Sequence, residues 1–372
     1  MKILINATGS DQTDGYFSYI TNIIPEICKN DNKNNYIIYS NGIIYDYLKK
    51  KGIPNLFFLG DSFNRSSIRF IWMQCFLPFI VLKLRINILL SPLNSAPFLL
   101  KFTNITSYLV VHSNLPWLNP SLLPYSPLKA LFIKFFKNIS LFSADYIITV
   151  SKNAKLELVQ NTIINPDNVI PVLLGINHKI FNNDQSNILD APGFKYILYI
   201  ANSALHHNHI NLIKAYQLLN IDKNNYYKLL LIMSNVDFVN TRRIRDFIVK
   251  NLLEEHISIL QHVSYRILKV YYQNSTAYVF PSLSETFGLT TIEAMASGVP
   301  VIVSNCSSMP EINGDAALYF DPYNPRDIAE KINFVLQSEK QRYKMIKNGL
   351  DRVKRYNWEN SAKQMIDIFN EK

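Results

Sequence analysis

Glu285 and Glu293 bracket the run Thr286-Phe287-Gly288-Leu289-Thr290-Thr291-Ile292. Carboxylates accept hydrogen bonds from sugar and ribose hydroxyls. A glycine between them lets backbone come close to a ligand, and amides at a helix start favour anions. These residue types therefore allow a diphosphate on the loop and hydroxyl recognition by the two carboxylates. Each also has a plain structural use. Thr290 and Glu293 fit a capping box with Thr290 as helix N-cap, and Glu285 fits a solvated loop charge.

Periodicity supplies the elements that must hold this loop. Residues 277–280 form an apolar strand, Pro281 turns the chain, and a helix is expected over 290–297 before a strand at 300–303. The same alternation runs through the chain. In the first half, strands are expected at 2–6, 36–39, 56–59, 86–90, 108–111 and 146–150, with helical spacing from Tyr16 to Ile27 and Ser151 as a helix N-cap. In the second half, strands are expected at 196–200, 228–233 and 257–260, with helices near 209–219, 242–252 and 265–273. Residues 182–193 are polar and turn-rich and read as a linker. Alternating strands and helices give α/β architecture with mostly parallel sheets, in two doubly wound, Rossmann-like domains facing a cleft. Ligands in such sheets bind beyond the carboxyl ends of the strands.

At 372 residues, with 48% apolar and 18% charged residues, the chain suits two ordinary globular domains. Cys28, Cys75 and Cys306 lie far apart, which argues against a disulfide framework or a zinc site and favours a reducing compartment. No long apolar run follows Met1, so a signal peptide is not expected. The longest apolar stretch, residues 70–82, reads as too short to span a bilayer. The net charge of +10 is concentrated: residues 62–144 contain no Asp or Glu, yet hold Arg65, Arg69, Lys83, Arg85, Lys101, Lys129, Lys134 and Lys137 among many aromatics. Such a window suits anionic lipid, or an ordinary core whose lysines reach outward. Nucleic acid is not expected, because no recognition motif accompanies the charge.

The stretch from Phe280 to Ile302, with Glu285, seven residues, Glu293 and then Ala-Met-Ala-Ser-Gly-Val-Pro-Val, resembles the donor site of the family 4 retaining glycosyltransferases, which have the GT-B fold. The resemblance continues through Cys306-Ser-Ser-Met-Pro-Glu and, upstream, Gly175-Ile-Asn-His. In the first half it rests on Gly15, Ser91-Pro-Leu-Asn, His112 and Ala144-Asp-Tyr-Ile-Ile-Thr-Val-Ser. It implies that Glu285 holds sugar hydroxyls and Glu293 the ribose, while Thr286 and the amides of Phe287, Gly288 and Leu289 meet sugar and diphosphate. Gly15 would let the first loop approach the donor, and His112 would line the acceptor side. A structural role suits a lone histidine after a strand equally well. Domains would run 1–175 for the acceptor and 176–356 for the nucleotide sugar, with a helix over 357–372 crossing back.

Two departures stand out. Ser113 follows His112 where an Asp is usual. Where a basic pair normally faces the diphosphate, Asn202 and His207 stand, with His206 beside them. Cationic groups aimed at a leaving diphosphate supply much of its stabilisation, and neutral histidine supplies less.

The resemblance implies a hexosyltransferase that needs no metal or other cofactor, with GDP-mannose considered first as donor. A lipid-linked saccharide would be its acceptor in bacterial cell-surface polysaccharide or O-antigen synthesis. The setting expected is cytoplasmic, at the inner face of the cytoplasmic membrane on an anionic surface. Alternatives are a catalytically silent GT-B binding protein, a GT-B sugar-nucleotide epimerase and a phosphorylase.

Overall fold

The computed structural model describes residues 1–10, 15–184, 192–219, 226–261 and 263–371. Residues 185–191, most of the expected linker, lie outside the described residues. The chain divides into two compact units. One comprises Met1–Pro120, Pro127–Gly175 and Tyr356–Lys372; the other comprises Ser121–Ser126 and Ile176–Arg355.

Among the described residues, the first unit holds seven parallel strands: β1 (Lys2–Ala7), β2 (Asn35–Ser40), β3 (Leu56–Phe58), β4 (Ile88–Ser91), β5 (Thr106–Val111), β6 (Tyr146–Thr149) and β7 (Val169–Pro171). Their order is β3-β2-β1-β4-β5-β6-β7, and Ile3 sits opposite both Tyr36 and Ile88. Five successive residues of β1 are buried, as expected of a strand covered on both faces.

The second unit repeats the scheme with β8 (Tyr196–Asn202), β9 (Lys228–Ser234), β10 (Ile257–Leu260), β11 (Ala277–Phe280), β12 (Val301–Ser304) and β13 (Ala317–Phe320), ordered β10-β9-β8-β11-β12-β13. Each order has one switch point, between β1 and β4 and between β8 and β11. Such points leave a crevice at the carboxyl ends of the strands.

The last helix, Trp358–Asn370, packs within the first unit against helix Gly15–Asn30. Phe369 lies edge-on to Tyr108 at 5.3 Å, and the Tyr108 hydroxyl donates to the Ile368 carbonyl at 3.1 Å. Gly175 permits that return. A Cβ there would lie 2.2 Å from the Trp358 nitrogen, so no side chain fits between the two backbones.

Two expectations are corrected here. Residues 70–82 belong to a longer helical run, Ser66–Lys83, which is long and apolar enough to cross a membrane by length and composition alone. A π-helical stretch, Trp72–Phe76, joins its two α-helical parts. One stripe of this run, Trp72, Met73, Leu77 and Val81, is core: it packs with Leu4, Ile86 and Leu89. Lys137 does not reach outward. Its ammonium lies over the Trp117 ring at 5.8 Å, and burial pushes its pKa down to about 8.

Candidate functional site

The loops leaving β8 and β11 are tied together at the switch point of the second sheet. Leu283 donates its amide to the His206 carbonyl at 2.7 Å. Asn208, in the left-handed conformation at φ 60°, donates its side-chain amide to the carbonyls of Pro281 at 3.0 Å and Pro322 at 2.8 Å. The Glu285 carbonyl accepts from the Ser308 amide at 3.2 Å. The glutamate loop is therefore fixed on both sides before any ligand arrives.

Gly288, not Thr290, is the N-cap of helix Leu289–Ala296. It takes φ +81°, and a Cβ there would lie 2.6 Å from the methyl carbon of Met309. A positive φ is strained for any residue with a Cβ, so a glycine stands where the chain enters the helix. The Thr291 amide and hydroxyl both return to the Gly288 carbonyl, at 2.9 and 2.8 Å. The first amides of a helix have no intrahelical acceptor, and here they start directly behind a side-chain-free residue. That favours an anion.

The capping box is likewise replaced. Glu293 lies one turn into the helix, 6% exposed, and accepts from the Tyr272 hydroxyl at 3.0 Å. Burial pushes its pKa up to about 8, against the lowering effect of that hydrogen bond. A neutral carboxyl can both donate and accept, which suits a ribose diol.

Glu285 is not a solvated charge. Its side chain is 19% exposed, and burial pushes its pKa up to about 7, with a hydrogen bond to Ser282 pulling the other way. His207 places Nδ1 3.5 Å from a Glu285 oxygen and 3.1 Å from the Ser282 hydroxyl. Its own pKa is held well below the usual histidine range by burial and by the neighbouring histidines. The His206 ring sits 4.0 Å from that of His207, and burial pushes its pKa down to about 4. In the free protein both rings are neutral at ordinary pH. His206, His207 and Glu285 bring ligating atoms within 4.8 Å of one another, the spacing at which side chains could hold a metal ion.

Among the other expected residues, Thr286 and Phe287 are buried in the loop and Leu289 is half-buried at the helix start. Asn202 ends β8 and spends its side-chain oxygen on the Ala204 amide at 2.9 Å, which shapes the turn. These residues, with Glu285, Gly288, Glu293, His206 and His207, lie on the β8 and β11 loops and on the helix after β11. Gly15 and His112 belong to the first unit. Gly15 is exposed and opens helix Gly15–Asn30, and a Cβ there would meet nothing within 4 Å. His112 follows β5, takes the Asn94 side-chain oxygen on its amide at 2.5 Å, and packs edge-on against Tyr19 at 4.6 Å. Burial pushes its pKa down to about 4, while a hydrogen bond to the Pro92 carbonyl opposes the shift.

Sequence reasoning missed Ser282, Tyr272, Asn208 and Met309. Tyr272 acts across 21 residues and Asn208 across 73, so no local spacing marks either.

Residues 181–352 match the family of glycosyl transferases group 1. That stretch lies wholly within the second unit and contains the loop, both glutamates and the histidine pair. The O-antigen chain mannosyltransferase B of Escherichia coli is 30% identical over 236 residues, which cover 62% of this chain and 61% of that protein. The chain thus spans about three fifths of that relative. The O-antigen chain mannosyltransferase RfbU of Salmonella typhimurium is 25% identical over 278 residues, 72% of this chain and 74% of that one. Among solved structures, Anabaena HepE in complex with UDP-glucose superposes with a TM-score of 0.79 at 14% identity, covering 100% of both chains. The two Rossmann-like units are those of the GT-B fold.

Proposed function

We propose that this chain is a retaining glycosyltransferase that moves a hexose, mannose in the first instance, from GDP-mannose to a lipid-linked saccharide. The pathway is synthesis of bacterial cell-surface polysaccharide or O-antigen. The observation that carries this reading is the fixed loop at the β8/β11 switch point, where Glu285 and Glu293 stand on either side of a glycine-headed helix start. The family match and the names of the two mannosyltransferase relatives support it, and HepE supports a nucleotide-sugar ligand for the fold.

Glu293, held by Tyr272, takes the ribose, and Glu285 takes sugar hydroxyls. The amides behind Gly288 meet the diphosphate as the glycosidic bond to it breaks. Fixed dipoles aimed at the leaving group need no rearrangement as charge develops, and the rest of catalysis is positioning. Gly15 and His112 keep the donor-loop and acceptor roles named above. The reaction as proposed includes no metal ion or other cofactor.

One observation favours a second reading. The two histidines that stand in place of a basic pair are neutral in the free protein, which would suit a catalytically silent nucleotide-binding protein. Release of nucleoside diphosphate separates the two. Adding lipid-linked saccharide to protein and GDP-mannose should release GDP, and Glu285→Ala should abolish the release. Tight GDP-mannose binding without release, over a range of lipid-linked acceptors, would support the silent protein.

A further inference from the structure

The helical run Ser66–Lys83 is apolar on both sides, and only one of them is used by the fold. A helix that is apolar all round is normally enclosed by protein or by lipid. The stripe of Trp72, Leu77 and Val81 is enclosed, but Phe76 and Phe79 are 59% and 67% exposed. The surface continues onto two neighbouring elements. Phe70 meets Phe98 at 6.3 Å and Phe136 at 5.3 Å, and Phe98 stacks on Phe136 at 5.9 Å. These rings join the run to the turn Phe98–Phe102 and to helix Pro127–Ser143, where Phe102, Leu128 and Leu131 are 86%, 79% and 65% exposed. Single exposed apolar side chains are common on protein surfaces; several of them on three elements that pack against one another are not.

Charge decides the occupant. No carboxylate occurs in residues 62–144, and Lys83, Arg85 and Lys129 on or beside these elements are exposed. A protein partner would gain from this one-signed charge only if carboxylates surrounded its own apolar patch. An anionic bilayer gains from both features at once, because apolar side chains enter the headgroup boundary while cations meet lipid phosphates.

We propose that this face of the first unit is a peripheral docking surface for anionic membrane. Helix Ser66–Lys83 lies along the surface and does not cross it, since its inner stripe is core of the first unit and crossing would pull that core apart. The inference stands apart from the transfer reading, because it requires neither donor nor acceptor.

The test is co-sedimentation with vesicles of phosphatidylcholine alone and of phosphatidylcholine with about a third phosphatidylglycerol. The full chain should bind the mixed vesicles and lose affinity as salt rises. The double variant Phe102→Asp/Leu131→Asp should lower partitioning by about tenfold or more. Lys83→Glu/Lys129→Glu should weaken binding to the mixed vesicles only. Phe238→Asp, at a side chain 78% exposed in the second unit, should bind like the parent. Unchanged thermal melting would show that the variants remain folded. The proposal fails if the parent stays in the supernatant, or if the double variant binds as well as the parent. It fails also if Phe238→Asp does equal damage, if alkaline carbonate cannot strip the protein from vesicles, or if the double variant turns a parent dimer into monomers.

Discussion

Nδ1 of His207 lies 3.5 Å from a carboxylate oxygen of Glu285, and both groups are held toward their neutral forms. A pair of this kind is ordinarily an ion pair. Here desolvation outweighs the attraction, so the imidazole stays neutral and the carboxyl is neutral below about pH 7.

Donor affinity should therefore depend on pH through Glu285. With its pKa pushed up to about 7, this carboxyl gains negative charge beside an anionic ligand as pH rises from 6 to 8, and affinity should fall. Glu285→Gln should bind at the level seen for the parent at low pH and show a flat profile. Calorimetric titration with nucleoside diphosphate checks this. A parent profile that is flat, or that rises with pH, would show that Glu285 does not lie close enough to the bound anion for its charge to act on it.

Glu293 separates recognition from stability. Glu293→Gln keeps an acceptor for the Tyr272 hydroxyl; below about pH 4.5, where the carboxyl is neutral both folded and unfolded, it should change unfolding free energy by less than about 1 kcal/mol, yet it should weaken nucleotide binding about tenfold. Tyr272→Phe should cost about 1 kcal/mol of stability and weaken binding less. Normal nucleotide affinity in Glu293→Gln would remove the ribose assignment.

The sequence made the two sheets legible because parallel strands covered on both faces read as near-continuous apolar runs; β1, β8 and β11 are plain examples. Two strands escaped. β7 is only Val169–Pro171 at a sheet edge, and β13 is mostly half-buried, so neither gives a clear apolar run. The loop was legible by composition, but its start was misplaced. Thr290 has the better capping side chain, while the position demands positive φ, which only Gly288 meets without strain. The neutral state of the histidines could not be read either. It comes from burial by elements far away in sequence.

Gly288→Ala tests the helix entry. Left-handed φ costs a Cβ-bearing residue about 1–2 kcal/mol, and the far end of Met309 would have to move aside. Stability should drop by that amount in urea melts, and nucleotide affinity should fall with it. An unchanged unfolding midpoint would mean that the loop is not held at φ +81° in solution.

Stability should follow pH as a dome. His112 and His206 titrate at about 4 when folded, His209 at about 3 and His207 well below the usual value, against about 6.5 unfolded. The unfolded chain therefore binds more protons below about pH 6.5, and stability rises with pH up to that point. Glu285 and Glu293 have the opposite sign. Raised to about 7 and about 8, they contribute stability that is full below about pH 4.3, their unfolded value, and is lost progressively from there up to those values. Four histidines outweigh two glutamates on the acid side; from about 6.5 to 8 the two glutamates outweigh Lys137, whose folded pKa of about 8 lies below its usual value and acts with the opposite sign. Thermal melting should peak near pH 6.5, and Glu293→Gln should flatten the alkaline side. A plateau from pH 5 to 8 in the parent would contradict these assignments.

The central claim is that the β8/β11 switch point binds a nucleoside diphosphate. Its most direct test is thermal melting of the full chain with GDP, UDP and dTDP, alongside Gly288→Ala and Glu293→Gln. At a hundred times its Kd a ligand adds about 2.7 kcal/mol to stability. The account predicts a clear rise in melting temperature with at least one of the three, GDP in the first instance, and a smaller rise at the same concentration in both variants. No shift with any of the three, or a shift equally large in both variants, would contradict it.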